Sequence, residues 1–236
     1  MNIIGVIPAR KGSKGIPSKN IKLLCGKPLI YYTINSALKS KLLTSLVVST
    51  DSISIAEIAK SFGARVPFIR PETLATDDSL AVPTIKHAVL ETERNDKKLY
   101  DYIIMLQPTC PFTTSNDIDK SLARLIKSGA DSIISVVNVG AIHPYRMKTI
   151  SEKGELIDFC SDVRDDMMPR QKLPSVFLRS GDIYAVKRDI LIKNSSLKGR
   201  KSLAYVIPEE RAINIDTIND WKLAEVYLNS IFLQKN

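Results

Sequence analysis

Three cysteines, two histidines and 6% aromatic residues in 236 are scarcities that each remove a class of chemistry. Cys25, Cys110 and Cys160 are odd in number and widely spaced, so neither a CxxC pair nor a disulfide framework can be drawn. A reducing, cytoplasmic setting is expected. His87 and His143 together with three isolated cysteines cannot make a zinc site. No apolar run approaches the ~18 residues of a membrane span. Ile3 to Ile7 is too short for a signal-peptide core, and Arg10 and Lys11 follow it closely. No membrane partner is expected. GxxxxGK[ST], GxGxxG and G-x-S-x-G are all missing, which excludes a Walker A loop, the dinucleotide fingerprint and the hydrolase elbow.

What the chain does have is cations. Lys and Arg number 34 against 25 Asp and Glu, a net charge of +9. Pairs such as Lys97-Lys98 and Arg200-Lys201 read as solvated surface. A nucleic-acid binder predicts a contiguous basic face with aromatics for stacking, and the low aromatic content argues against it. No nucleic-acid partner is expected.

Hydrophobic residues at 44% and charged residues at 25% suit a single globular domain over 1–236. Short β-branched runs alternate with helix-like segments. Ile3–Ile7, Leu46–Thr50, Val66–Ile69, Tyr102–Leu106 and Ser132–Val139 read as strands. Pro28–Leu38, Ile55–Phe62, Leu80–Glu93, Asp117–Lys127 and Ile218–Leu233 read as helices. Thr114 with Asp117, and Thr217 with Asp220, stand at capping-box spacing. The alternation predicts an α/β fold with a mostly parallel, Rossmann-like sheet and helices on both faces. The pattern breaks between Gly140 and Gly181, where turn residues and a charged run (Asp162 to Asp166) read as an inserted arm.

In such sheets ligands bind beyond the carboxyl ends of the strands. Those ends carry Pro8 to Asn20, Asp51, Arg70 and Gln107-Pro108-Thr109, and a further strand-like run, Ala212–Ile215, ends at Asp216. In the first loop, Arg10, Lys11, Lys14 and Lys19 are interleaved with Gly12 and Gly15. Backbone N–H groups and cations so arranged suit a polyphosphate, with a solvated basic loop as the alternative. His87 reads as structural within its helix, and His143 has no clear role. Cys110, near the rim but without a partnering base, reads as a small packed residue.

Ile7-Pro8-Ala9-Arg10, Ser13-Lys14-Gly15 and Lys19-Asn20 resemble the opening signature of the bacterial acylneuraminate cytidylyltransferases. Ser49-Thr50-Asp51, Arg70-Pro71-Glu72 with Leu74-Ala75-Thr76-Asp77, Leu106-Gln107-Pro108-Thr109, Arg170-Gln171-Lys172-Leu173-Pro174 and Ile215-Asp216-Thr217 resemble later blocks in the same order. The resemblance implies a nucleotide-diphospho-sugar transferase type of fold. It also implies transfer of CMP from CTP to a nine-carbon α-keto sugar acid of the sialic or legionaminic type, with Mg2+. The same reaction on the eight-carbon octulosonate, or CTP binding without turnover, are the alternatives.

By resemblance Arg10, Lys14 and Lys19 hold the phosphates, and Ala9, Gly12, Ser13 and Asn20 belong to the same nucleotide loop. Arg70, Asp77 and Ser79 fall near the cytidine. Gln107, Arg170 and Tyr184 contact the sugar acid, Arg170 at its carboxylate. Arg170 paired with Asp165 or Asp166, and Tyr184 as a core aromatic, are the alternatives. Asp216 holds the metal, with Asn214 as a second candidate because relatives often carry D-I-D there. The resemblance further implies a homodimer formed through the 140–181 arm. Cys110, Phe112-Thr113 and Ser180-Gly181 depart from the common pattern near the expected sugar pocket.

Overall fold

The computed structural model describes residues 1–160 and 167–233. The acidic positions Asp162, Asp165 and Asp166 lie outside the described residues.

In chain order the elements are β1 (Ile3–Pro8), β2 (Leu23–Leu24), β3 (Lys27–Pro28), α1 (Leu29–Leu38), β4 (Ser45–Ser49) and α2 (Ile53–Ser61). α3 (Ala81–Asp96), β5 (Tyr102–Leu106), α4 (Ser115–Ser128) and β6 (Ser132–Asn138) follow. The rest comprises β7 (Lys148–Ile150), β8 (Leu156–Asp158), β9 (Phe177–Lys187), α5 (Arg188–Asn194), β10 (Ser202–Val206) and α6 (Ile218–Leu233). One six-stranded sheet runs β10-β6-β9-β5-β1-β4. β1 pairs parallel with β4 and β5, and β6 with β10, while β9 runs antiparallel between β5 and β6.

The period-2 alternation of a strand sorts β1 into two cores. Ile3 and Ile7 face α1, α2 and α4, and Ile4 and Val6 face α3 and α5. A third cluster joins Ile16, Ile213 and Ile215 to Trp221, Ala224 and Leu228 of α6. It fixes the two ends of the chain to each other. α4 starts on the expected capping box, in which the Asp117 N–H donates to Thr114 Oγ1 (3.2 Å) and the Thr114 N–H to Asp117 Oδ2 (3.0 Å). α6 starts likewise, the Asp220 N–H donating to Thr217 Oγ1 (3.3 Å) and the Thr217 N–H to Asp220 Oδ2 (2.7 Å).

Two expected strands are absent. In Val66–Ile69 the Pro67 nitrogen cannot join a ladder, and only Arg65 bridges to Val47. Ala212–Ile215 buries Ile213 and Ile215 but joins no ladder: the Ile215 N–H donates to Thr109 O (2.8 Å), and the Ala212 N–H turns back to Pro208 O and Glu209 O (both 3.2 Å). The expected break in periodicity ends earlier than Gly181, because Phe177, Leu178 and Arg179 already pair with Asn138, Val137 and Val136. β9 and β10, which sequence periodicity missed, supply the middle and one edge of the sheet.

Candidate active site

β1 delivers the loop of residues 9–20 to the carboxyl edge of the sheet. Ala9 is buried, its N–H donating to Ser49 O (2.9 Å), so it fixes the backbone rather than offering a side chain. Beyond it, Arg10 Nη1 reaches Asp77 Oδ1 at 2.6 Å and Lys14 Nζ reaches Asp77 Oδ2 at 3.3 Å. The Arg10 hydrogen bond, helped by Lys14, holds the Asp77 carboxyl below its usual range. Asn20 is buried and donates to Arg10 O (2.9 Å), which closes the loop on itself.

The same loop docks on the segment before α6. Lys19 Nζ donates to Ile215 O (2.7 Å) and Asp216 Oδ1 (2.9 Å), and Asn214 Nδ2 donates to Asp216 Oδ2 (3.1 Å). The approach is close enough to require glycine. A Cβ on Gly15 would stand 2.1 Å from Asp216 O.

Across the rim, Arg70 is 4% exposed, and its Nη2 reaches Asp51 Oδ1 at 3.4 Å while its buried Nε has no partner among the described residues. Burial pushes the guanidinium pKa down against the opposing pull of Asp51. Ser79 shares a hydroxyl hydrogen bond with Thr76 at 2.8 Å. Arg10, Gly12, Ser13, Lys19, Asn20, Arg70, Ser79, Gln107, Asn214 and Asp216 thus line one cavity of about 340 Å³. Lys14 and Asp77 stand outside its lining, beside Arg10, with the Lys14 side chain 75% exposed. Leu74, Thr84 and Thr109 also line it and were not named as site residues from the sequence; Leu74 and Thr109 stood in blocks that resemble the family, Thr109 also at a strand end, whereas Thr84 carried no signal.

A second cavity of about 660 Å³ adjoins the first, sharing Ala81 and Gln107. Its walls are largely apolar, with Met105 of β5, Ile134 of β6 and Leu203 of β10, and Tyr184 stands among them. Burial raises the Tyr184 phenol, with Arg179 acting in the opposite direction. Beside Gln107, where the cavities meet, β9 bulges, and Ser180 to Ile183 have no ladder partners on β6. Ser180 Oγ and the Ile183 N–H both donate to Ser135 Oγ (2.9 and 2.8 Å). Gly181, at φ +92°, lies where a Cβ would come within 2.9 Å of Gln107 Oε1. Cys110 is buried beside it, burial pushing its thiol well up, as fits a packed residue.

Arg170 is not brought to Gln107 and Tyr184. It lines a third cavity of about 480 Å³ with Gly140 and His143. His143 is a strut there, with Nε2 3.0 Å from Pro174 O and Nδ1 accepting from the Tyr145 N–H (3.2 Å).

The family model described as Cytidylyltransferase matches residues 4–159, the span from β1 through the rim loops to the hairpin of β7 and β8. The chain belongs to that family. Among relatives of this cytidylyltransferase is a CMP-N,N'-diacetyllegionaminic acid synthase from Legionella pneumophila, 34% identical over 95% of both chains. An N-acylneuraminate cytidylyltransferase A from Danio rerio is 34% identical over 95% of this chain and 50% of its own. A solved CMP:2-keto-3-deoxy-manno-octonic acid synthetase complexed with CTP superposes with a TM-score of 0.72 over 98% of this chain and 99% of the other. At 18% identity it shows the shared fold.

Among the described residues no helix is long and apolar enough to cross a membrane, and no three His, Cys, Asp or Glu side chains group as a metal cluster. The cytidylyltransferase cavity instead offers one carboxylate, Asp216, with the Asn214 amide beside it. That donor set fits a hard cation such as Mg2+, which commonly takes one or two carboxylates and completes its shell with substrate phosphates and water.

Proposed function

We propose that this cytidylyltransferase transfers CMP from CTP to a nine-carbon α-keto sugar acid of the sialic or legionaminic type. The anomeric hydroxyl forms a bond to the α-phosphorus, the bond to the bridging β-phosphate oxygen breaks, and pyrophosphate and the hydroxyl proton leave. The observation that carries this reading is the junction of the two cavities. A cation-lined space suited to a triphosphate opens at Gln107 into a larger, mostly apolar space suited to an acylated sugar.

In-line displacement at phosphorus needs positioning and charge neutralisation more than covalent help. Arg10, Lys14 and Lys19 are proposed to meet the phosphates, with the loop N–H groups around Gly12 and Ser13 adding donors. Arg70 and Ser79 would hold the cytidine end, and Asp77 would hold Arg10 and Lys14 in place before CTP arrives. Gln107 and Tyr184 would hold the acid sugar. Asp216, with Asn214, would hold the metal ion, which when bound supplies charge neutralisation on the phosphate oxygens.

We further infer a cytoplasmic homodimer in which the 140–181 arm of one copy covers the other. Ile150 and Leu156 pair across the β7–β8 hairpin and are 75% and 70% exposed. A two-stranded hairpin is marginal alone in water, so this apolar pair calls for cover. A second copy would give it cover and would give Arg170 access to a sugar cavity that it does not reach in its own chain.

The test is pyrophosphate release from CTP with Mg2+ across sialic, legionaminic and octulosonic acids, with ATP, GTP and UTP as controls. Release with CTP and a nine-carbon acid is expected. Preference for the eight-carbon acid would move the assignment to that substrate. Tight CTP binding without release from any acid would mark a nucleotide-binding relative.

A further inference from the structure

We propose that Arg179 is a substrate-binding residue that meets the acid group of the sugar from within the same chain; the proposal rests on the sugar-acid reading above. Side chains of a regular strand alternate between faces, so residues five apart point in opposite directions. Arg179 and Tyr184 are five apart on β9, yet both line the second cavity. The bulge between them is the cause. Arg179 pairs with Val136 and Tyr184 with Ile134, so the intervening residues of β9 oppose a single residue, Ser135, and the change of register returns both side chains to one face. Without the bulge Arg179 would face away.

The electrostatics of the cavity agree with an anionic guest. Among the described residues its only charged lining side chains are Arg179 and Lys198, with no Asp or Glu. Neither the Arg179 guanidinium nor the Lys198 ammonium has an ion-pair or hydrogen-bond partner among the described residues. The other cations at the site differ, since Arg10, Lys14, Lys19 and Arg70 are all held by carboxylates. Gly181, two residues after Arg179, brings the strand against Gln107, where the cavities join. That is the level at which the acid group, bonded to the anomeric carbon, must sit when the anomeric hydroxyl faces the α-phosphate. A planar guanidinium can take a carboxylate with two parallel hydrogen bonds. A carboxylate also has lone pairs to spare, so a second cation from a partner's arm is compatible with this contact.

The test compares the wild-type chain with Arg179→Gln and Arg179→Lys, using the sugar acid and its C1 carboxamide, each with CTP and Mg2+. Arg179→Gln is expected to raise the KM for the acid tenfold or more and to leave the KM for CTP unchanged. It should also narrow the preference for acid over amide, with Arg179→Lys recovering part of it. A role in folding alone would lower activity on acid and amide equally, and that outcome overturns the proposal. So does a wild-type KM for the acid in Arg179→Gln. If the wild-type chain neither turns over nor binds any sugar acid by calorimetry, the functional reading fails and this assignment with it. If it binds the acid and Arg179→Gln binds it equally, only this assignment fails.

Discussion

Arg10 leaves β1 at the point where the strand hands over to its loop, and among the described residues its only ion pair is with Asp77. Exposed pairs of this kind contribute little to stability, so opening it for a phosphate costs little. A preorganised cation aimed at developing charge is worth far more in the transition state. Arg10→Ala is therefore expected to lower kcat by a factor of about 10² to 10³, the scale of losing an oxyanion donor, while melting changes little. Pyrophosphate release and a thermal melt on the same sample check both halves. Arg10 was legible in the sequence because glycines and cations follow the first strand at once. Arg179 was not, because a bulge that reverses facing leaves no mark in hydrophobic periodicity.

Elements carry the next set of constraints. Gly15 packs against the backbone of Asp216, so Gly15→Ala puts a methyl where only backbone fits and must separate the loop from the segment that carries Asp216. Overpacking of this kind costs about 1–3 kcal/mol. The expected result is a lower Tm together with a weakened response to CTP and Mg2+ in a ligand-shift melt, whereas Gly12, where a Cβ would meet only Arg10 Nη1 at 3.9 Å, tolerates the same change better. At the far end of α3, Asp96 accepts from both Arg65 Nη atoms (2.9 and 2.5 Å) and from the buried Tyr100 hydroxyl (2.6 Å). Chiefly through the Arg65 hydrogen bonds, its pKa is lowered to about 2. A depressed carboxyl contributes stability that is present above its unfolded pKa and is lost as pH falls through the folded value. The stability gap between the wild-type chain and Asp96→Asn is therefore expected to be full above about pH 4 and to close toward pH 2, as denaturant titrations across that range would show.

The same scale shows why β9 escaped the sequence. Its middle reads Arg-Ser-Gly-Asp, which breaks the apolar alternation where the strand bulges beside Gln107. The helices α4 and α6 were easy to place because their caps are local chemistry, settled within four residues. Val66–Ile69 had strand-like composition, but Pro67 cannot donate to a ladder.

At the scale of the whole molecule the proposals meet in the dimer. Ile150→Asp with Leu156→Asp should convert a dimer to a monomer in sedimentation, since a charged pair on the hairpin cannot be buried without a partner charge. If Arg170 acts across the interface, two weak variants should complement one another. Arg170→Ala keeps its nucleotide loop and Arg10→Ala keeps its arm, so a refolded mixture should regain about a quarter of wild-type activity from the one intact site in each mixed dimer. No recovery, with mixed dimers demonstrated, would confine Arg170 to its own chain.

The clasp between Lys19 and Asp216 joins positions 197 residues apart in the chain. A chain still emerging from the ribosome therefore exposes its cation-bearing loop long before Asp216, which lines the same cavity, has been synthesised. If Lys19 and Asp216 act together as proposed, a chain that stops before Asp216 is expected to release no pyrophosphate at all rather than to release it slowly.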